Sequence, residues 1–109
     1  MIKRGNLFSP AAKSDEEFLE VLMSCKSGGA RVERIVSQGH ASHPDFWYDQ
    51  NEQEFVAVLK GNAELEFEDG TVMNMFSGDW VIIPEHCRHR VNSTSEITPC
   101  VWLAVFGKN

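Results

Sequence analysis

The stretch EFVAVLKGNAELEFEDGTVMNMF, residues 54–76, decides the fold. Its first segment, EFVAVLK, is apolar on both faces, which is typical of a strand covered on both sides in a barrel or a sandwich. The following AELEFE alternates strictly, so that Ala63, Leu65 and Phe67 face inward while three glutamates face water. Two neighbouring strands of a β-sheet protein are therefore predicted here.

The Asp69-Gly70 pair predicts a hairpin after these strands, because a type I′ turn needs positive φ at both central positions. Apolar segments bounded by Gly, Pro, Ser and Asp continue along the chain in both directions. Many short strands separated by turns indicate an all-β sandwich or barrel. The further strands are predicted at residues 30–37, 72–76, 80–83, 89–91 and 101–106.

The segment before residue 30 predicts the one helix of the chain, over about 14–26. Ser14 can cap it, with Glu17 completing a capping box three residues later. Gly28-Gly29 can end it. The apolar residues with helical spacing between these signals are Phe18, Leu19, Val21, Leu22 and Cys25.

Length and composition suit one folded domain. The chain has 109 residues, of which 42% are hydrophobic and 24% charged, as is typical of a globular unit rather than a disordered chain. We predict a single domain over 1–109, with a helical segment at 1–29 and a β-barrel at 30–109.

Charge argues against nucleic acid as a partner, because the formal net charge is −6 and phosphates require clustered Lys and Arg. No segment approaches the ~20 apolar residues of a membrane helix, and the first residues lack a signal-peptide core, so no membrane partner is expected. Cys25, Cys87 and Cys100 form no CxxC pair, which favours the reducing cytoplasm.

Two polar segments lie at the ends of predicted strands. The first is DQNEQE, residues 49–54, which runs into a strand that ends at Gly61. The second is GDWVIIPEHCRHRVN, residues 78–92. We predict that WYDQNEQE, residues 47–54, forms one half of a pocket and that PEHCRH, residues 84–89, forms the other.

These segments resemble the two signature motifs of the cupin family of small β-barrels. Glu54 and Gly61 have the spacing of the first motif, and Gly78, Pro84 and His89 that of the second. The resemblance covers roughly residues 35–106 and is strongest to a group of short bacterial single-domain cupins. It implies a double-stranded β-helix, the jelly-roll cupin barrel, preceded here by the N-terminal helix.

The chain also departs from the family pattern. Trp47 and Asp49 occupy the positions of the two histidines in the first motif. In the second motif, His86 replaces a glycine and Asn92 comes one residue early. The family's usual metal shell of three histidines and one glutamate therefore lacks both histidines of the first motif.

The residues that remain predict an altered metal site. A divalent metal needs three or more donors that converge from different elements. Asp49, Glu54, His89 and His86 can supply oxygen and nitrogen donors, a set that suits Zn, Mn, Fe or Ni. Glu54 shares a strand face with Val56, so in a barrel interior its carboxylate needs a metal, a His or an Arg as partner.

Each candidate has a structural alternative. His89 can be an exposed strand histidine, and Glu54 can be solvent-exposed or form a salt bridge. Asp49 can make an Asx-turn, and His86 can be a turn residue at the barrel mouth. His40 and His43, in GHASHP, are expected in a mobile loop rather than as ligands.

Aromatic and aliphatic residues near the two segments predict the walls of the pocket. Trp47 and Tyr48 either line it or pack at its rim, while Trp80 and Trp102 have the apolar flanks of core residues. The predicted lining residues are Trp47, Tyr48, Val56 and Trp102.

Two functions fit these residues. The first is a metal-binding cupin, with small-molecule enzyme activity of the oxygenase, isomerase or lyase type, in which the metal is a Lewis acid or activates oxygen and Glu54 or His86 transfers protons. The second is a non-catalytic barrel that binds or senses a small ligand. Metal binding is slightly favoured, because Glu54 and His89 are retained. The doubly apolar strands also predict a homodimer that packs sheet on sheet.

Overall fold

The computed structural model describes residues 1–108, and these consist of β-strands and irregular segments. The all-β prediction is therefore confirmed. No helix capable of crossing a membrane is found in the described part of the chain. The strands are β1 (Phe18–Ser24), β2 (Arg31–Ser37), β3 (Gln53–Lys60), β4 (Asn62–Phe67), β5 (Val72–Phe76), β6 (Trp80–Ile83), β7 (His89–Thr94) and β8 (Cys100–Gly107).

The strands pair into two antiparallel sheets, a five-stranded sheet in the order β1-β2-β8-β3-β6 and a three-stranded sheet in the order β5-β4-β7. In the first sheet, Glu54 lies opposite Phe106 on one side and Ile83 on the other. In the second sheet, His89 lies opposite Phe67. The pairings of residues 1–108 form two separate sheets rather than one closed barrel.

The core lies between the sheets and follows the alternation read from the sequence. On β4, Ala63 and Leu65 are buried, and Phe67 packs against the core. On β3, Val56 and Val58 point to the same interior. Each buried aliphatic side chain of this kind stabilises the fold by roughly 1.5 to 3 kcal/mol. The other buried members of the cluster are Met75, Ile83, Cys100, Trp102, Ala104 and Phe106.

Trp80 lies outside this core, contrary to the expectation from its apolar flanks. Its side chain is 61% exposed on the outer face of the five-stranded sheet, where it stacks on Phe55. Trp80 lies opposite Ala57, on the side of β3 that alternates with the inward-facing Val56 and Val58. Trp102, on the central strand β8, is 4% exposed as expected.

The hairpin between β4 and β5 is present, but its turn is not of type I′. The N–H of Gly70 donates to the carbonyl of Phe67, and Gly70 has a φ of 93°. Asp69 does not share this positive φ; its carboxylate instead accepts from the N–H of Thr71. A turn followed by one left-handed glycine is the arrangement of a longer hairpin loop.

The predicted helix over 14–26 is wrong, because this part of the chain forms β1. Phe18–Ser24 pairs antiparallel with Arg31–Ser37 over most of its length. The hydroxyl of Ser14 bonds locally to Glu16 in a turn instead of capping a helix. Gly28 and Gly29, read as a helix stop, have φ values of 87° and 66° in the loop that joins the two strands.

Strand pairing outweighs the helical pattern for physical reasons. A helix of this length is marginal in water without tertiary support. Strand β1 instead pairs with the backbone of β2, which would otherwise be a sheet edge. Two side-chain contacts add to the pairing: the Arg34 guanidinium donates to the Glu20 carboxylate and lies 5.1 Å from the Phe18 ring centroid.

Gly61 explains why the first motif ends in glycine. It has a φ of 80°, and a Cβ atom built there would lie 2.6 Å from Ser95 Oγ and 2.7 Å from the Pro99 carbonyl oxygen. Any side chain would therefore collide with the segment that leads into β8 and would also be strained by the backbone. The glycine allows the chain to pass from one sheet to the other directly after β3.

Candidate functional site

A cavity of about 220 Å³ lies between the two sheets. Strands from both sheets contribute to its walls, and so does the segment before β1. Its walls combine ionisable groups with a larger apolar surface. The polar lining residues are Glu17, Arg31, Glu33, Tyr48, Gln50, Glu54 and His89, and the apolar ones are Leu19, Ile35, Val56, Leu65, Ile83, Val91, Trp102 and Phe106.

Glu54 and His89 reach this cavity from different sheets. Glu54 is 8% exposed and His89 is 5% exposed. Glu54 Oε1 lies 3.6 Å from His89 Nε2, which is longer than a hydrogen bond but close enough for strong electrostatic attraction. The partner that the buried carboxylate requires is thus a histidine of the opposite sheet.

The protein fixes the orientation of the His89 ring on two sides. His89 Nδ1 donates to the carbonyl of Cys87 at 2.9 Å. The ring of Tyr48 stacks on the imidazole, with the centroids 5.3 Å apart, and the backbones of these two residues form an isolated β-bridge. Because Nδ1 is engaged, Nε2 is the nitrogen that faces Glu54 and the cavity.

Burial by itself lowers the pKa of His89, because it disfavours the charged ring. The Glu54 carboxylate and the Cys87 carbonyl act in the opposite direction, and the net result is a pKa above the ordinary histidine value. The pKa of the Tyr48 hydroxyl is also raised, first by burial and then by the negative charges of Glu17 and Glu54. The Glu54 carboxylate contributes to both shifts.

Arg31 is held by two carboxylates at one end of the cavity. Its Nε donates to Glu33 at 2.8 Å and its Nη1 to Glu52 at 2.7 Å. The guanidinium also lies 4.0 Å from the centroid of the Phe106 ring. Burial lowers the pKa of Arg31, but the two glutamates raise it further than burial lowers it. The guanidinium is therefore already neutralised by protein groups.

Glu17 enters the cavity from the segment before β1 and is tied to the core by a polar chain. The Ser37 hydroxyl donates to Glu17 Oε2 at 2.8 Å, and the indole N–H of Trp102 donates to the same hydroxyl at 3.1 Å. Burial, followed by the charge of Glu17, raises the pKa of the nearby Cys100 thiol to about 12. Cys100 is a buried member of the core cluster, and a raised pKa disfavours the reactive thiolate.

The four predicted metal ligands separate into two pairs. Glu54 and His89 line the cavity, whereas Asp49 and His86 meet on the surface, with Asp49 Oδ1 2.8 Å from His86 Nδ1. Their side chains are 48% and 63% exposed. Residues 1–108 contain no group of three or more His, Cys, Asp or Glu placed to hold a metal ion. These donors do not fit the metal centre that the resemblance implies, and metal binding stays a prediction.

Of the predicted lining residues, Tyr48, Val56 and Trp102 line the cavity. Trp47 does not belong to the lining; its ring lies instead 5.9 Å from the guanidinium of Arg90. Adjacent residues of an extended segment point to opposite sides. Tyr48 points to His89, so Trp47 points away from the cavity.

The loop of His40 and His43 forms the wall of a second, adjoining cavity, which shares Glu17, Tyr48 and Val91 with the first. His40 is held at both ring nitrogens: Nδ1 accepts from the N–H of Gln38, and Nε2 donates to the carbonyl of Ser14. His40 therefore fastens the N-terminal segment to the sandwich.

Sequence reasoning missed Glu17, Arg31, Glu33 and Gln50 as lining residues. Glu17 lies within the predicted helix over 14–26, which does not form. For Arg31 and Glu33 a signal was present, because in RVERIVS alternate residues share a face with Ile35 and Ser37. A charged pair on the same face as buried residues predicts an inward-facing ion pair.

Comparison with known proteins gives a consistent result. A family model described as the cupin domain matches residues 33–106. A protein of Ralstonia eutropha JMP134, provisionally assigned as a mannose-6-phosphate isomerase, is 41% identical; the match covers 99% of this chain and 100% of that one, with a TM-score of 0.91. No curated protein matches.

More distant structures share the fold alone. A cupin superfamily protein of Desulfitobacterium hafniense DCB-2 has a TM-score of 0.75 at 12% identity, with 92% of this chain and 84% of that chain covered. The cupin domain of an XRE-family transcriptional regulator from Enterobacter cloacae has a TM-score of 0.69 at 15% identity, with 85% and 97% covered.

Proposed function

This chain belongs to the cupin family, and we propose that it binds a small organic molecule in the cavity centred on Glu54 and His89. One observation carries the proposal: a carboxylate and an imidazole from opposite sheets, with side chains only 11% and 6% exposed, meet at the wall of this cavity. Burying ionisable groups is costly, and such groups in a cleft mark candidate functional sites.

The pair and its surroundings supply the contacts that a small ligand needs. Glu54 can accept hydrogen bonds, and His89 Nε2 can donate when protonated or accept when neutral. The apolar wall, which includes Val56 and Trp102, suits the carbon skeleton of the ligand. The cavity is thus built for a compact molecule with one polar end.

A binding screen with matched variants tests this proposal. A mixture of small metabolites is examined by ligand-observed NMR with the wild type, with Glu54→Gln and His89→Gln, and with the surface control Asp49→Asn. We expect at least one compound that binds the wild type and the control but is lost in both cavity variants. Binding that both cavity variants retain would overturn the proposal.

A proton-transferring isomerase is the second candidate function. The protein of Ralstonia eutropha at 41% identity is provisionally assigned as an isomerase, and an adjacent carboxylate and imidazole can remove and return a proton. Mannose 6-phosphate, the sugar phosphate in the name of that protein, suits this cavity poorly. Its phosphate would face the carboxylates of Glu17, Glu33 and Glu54. NMR observation of mannose 6-phosphate and mannose with the wild type and Glu54→Gln tests whether either sugar is converted.

The metal-dependent function is the alternative that the family resemblance implies. It would use Glu54 and His89, and it needs at least one further donor beside them. Asp49 and His86 are engaged with each other on the surface. The donor set therefore supports an organic ligand better than a metal centre of protein ligands.

We also propose that two chains associate through the outer face of the five-stranded sheet. Trp80, Ile82 and Val105 are 61%, 53% and 37% exposed there, and Phe55 lies opposite both Ile82 and Val105. Such a continuous apolar surface is typical of an interface. Sedimentation should give a dimer that Trp80→Glu dissociates and Val72→Glu, on the other sheet, leaves intact; a monomeric wild type would contradict this.

We place the chain in the reducing cytoplasm, in agreement with its three free thiols. Cys25 is exposed, Cys87 is half-buried and Cys100 is buried, and none is paired in a disulfide. A cytoplasmic fraction that contains the protein with all three thiols titratable after unfolding would support this location.

A further inference from the structure

We propose that the ligand of this cavity is a small organic cation, an ammonium group joined to a compact apolar body. The inference rests on the proposed function and adds to it the chemical class of the ligand. It follows from the charges that face the cavity and from the charges that are already neutralised by the protein.

The described lining residues contain three carboxylates, those of Glu17, Glu33 and Glu54, and one guanidinium, that of Arg31. Arg31 is already bound by Glu33 and by Glu52, just outside the lining. Even with His89 protonated, carboxylates outnumber cations at this site. An anionic ligand would enter a region of negative potential without a free cation to receive it.

Glu54 keeps most of its hydrogen-bonding capacity for a ligand. A carboxylate can accept about four hydrogen bonds, and the nearest basic group, His89 Nε2, lies 3.6 Å from Oε1. Because Glu54 is 8% exposed, little water is available to it. An ammonium group beside it would form a charge-assisted hydrogen bond in partly dry surroundings.

The adjoining cavity is also lined by negatively charged side chains. It shares Glu17 and Tyr48 with the inner cavity and adds the carboxylates of Asp15 and Glu16. Its described lining residues include no Lys or Arg. The carboxylates of both cavities thus favour a cation over an anion in this region.

The rest of the cavity wall is apolar, which favours a ligand that carries an apolar group next to its ammonium group. Aliphatic side chains such as Ile35, Leu65 and Ile83 line the cavity together with the aromatic residue Trp102. Aromatic rings also attract cations over their faces. A strongly hydrated inorganic cation would leave this apolar surface unfilled, whereas an alkylammonium ion would cover it.

Three molecules that share one apolar group test the inference: cyclohexylmethylammonium, cyclohexylmethanol and cyclohexanecarboxylate. Their affinities are measured by calorimetry with the full chain, and the His89 imidazole resonances report whether each binds in the cavity. We expect the ammonium ion to bind about tenfold more tightly than the alcohol, as a charged hydrogen bond implies, and the carboxylate to bind most weakly.

Charge-removing variants assign the preference to the cavity. Glu54→Gln should weaken ammonium binding about tenfold and leave alcohol binding nearly unchanged. Glu17→Gln should act in the same direction, and the surface variant Glu68→Gln, 56% exposed at its side chain, should have no effect. The second cavity variant keeps the test valid if Glu54→Gln does not fold.

Equal or tighter binding of the carboxylate in the cavity would overturn this inference while leaving the small-molecule function in place. Failure of all three compounds to shift His89 would also overturn it, because a cavity of this charge and size should accept the ammonium ion. The wider metabolite screen then decides separately whether the cavity binds any organic molecule.

Discussion

Within residues 1–108, a carboxylate contacts a histidine in two places, once at the internal cavity and once on the surface. Glu54 and His89 are 3.6 Å apart at a cavity between the sheets, with side chains 11% and 6% exposed. Asp49 and His86 are closer, at 2.8 Å, yet their side chains are 48% and 63% exposed. The shorter contact is therefore the more hydrated one.

Exposure to solvent determines how strongly the two groups of each pair attract each other. On the surface, water screens the attraction and competes for every hydrogen bond, so that such a pair contributes little. In the cavity, the low local dielectric strengthens attraction and makes an unpaired charge costly. Proximity alone would select Asp49 and His86, whereas burial favours Glu54 and His89 as the candidate ligand-binding pair.

The largest expected difference between the pairs is in stability. Glu54→Ala leaves His89 without its partner in the interior and should lower the free energy of unfolding by about 2 to 3 kcal/mol. Asp49→Ala removes an exposed contact and should cost less than about 1 kcal/mol. Urea unfolding of both variants measures the difference. Equal losses would show that the two pairs have equivalent surroundings.

A second difference concerns protonation of His89. In the wild type its pKa lies above 6.5 because Glu54 and the Cys87 carbonyl outweigh burial. In Glu54→Gln the burial remains while the charge is lost, so the pKa should fall below 6.5. NMR titration of the imidazole measures both values, and an unchanged pKa in the variant would contradict the role of Glu54.

The same shift predicts how stability depends on pH. The folded-state pKa of His89 is raised, so its contribution to stability is fully present below the unfolded value of ~6.5 and is lost as pH rises through the raised pKa. Glu54→Gln should remove this decrease. Urea unfolding of both proteins across that pH range measures the decrease. A wild type that gains stability over the same range would contradict this prediction.

The smallest expected effect is on metal content. Because Asp49 and His86 lie outside the cavity, protein purified without chelator or nickel resin should contain far less than one Zn, Mn, Fe or Ni per chain. Elemental analysis of the wild type, Glu54→Ala and His89→Ala measures this. About one metal per wild-type chain, lost in both variants, would instead establish the metal centre implied by the family.

The fold was predictable wherever a strand buries one face or both. The alternation of Ala63 and Leu65, and the apolar run of β3, specify the inward faces directly. The region of β1 carries a weaker signal. Phe18 and Leu22 are four residues apart, which suits a helix, but they also lie on the same face of a strand, and pairing with β2 decides the outcome.

The buried pair was predictable because motif spacing identifies Glu54 and His89. The surface pair was not, since its formation depends on a backbone feature. His86 has a φ of 59°, and its N–H donates to the carbonyl of Gln50, which turns its ring toward Asp49. A left-handed histidine in place of the motif glycine is a property that spacing does not reveal.

The most direct test of the buried pair as functional centre follows both histidines in one sample. A ligand from the metabolite screen is titrated into the wild type while the imidazole resonances of His89 and His86 are recorded by NMR. The account predicts a saturable change at His89 Nε2, with His86 unchanged. A saturable change at His86, with His89 unaffected, would contradict it and place the site on the surface.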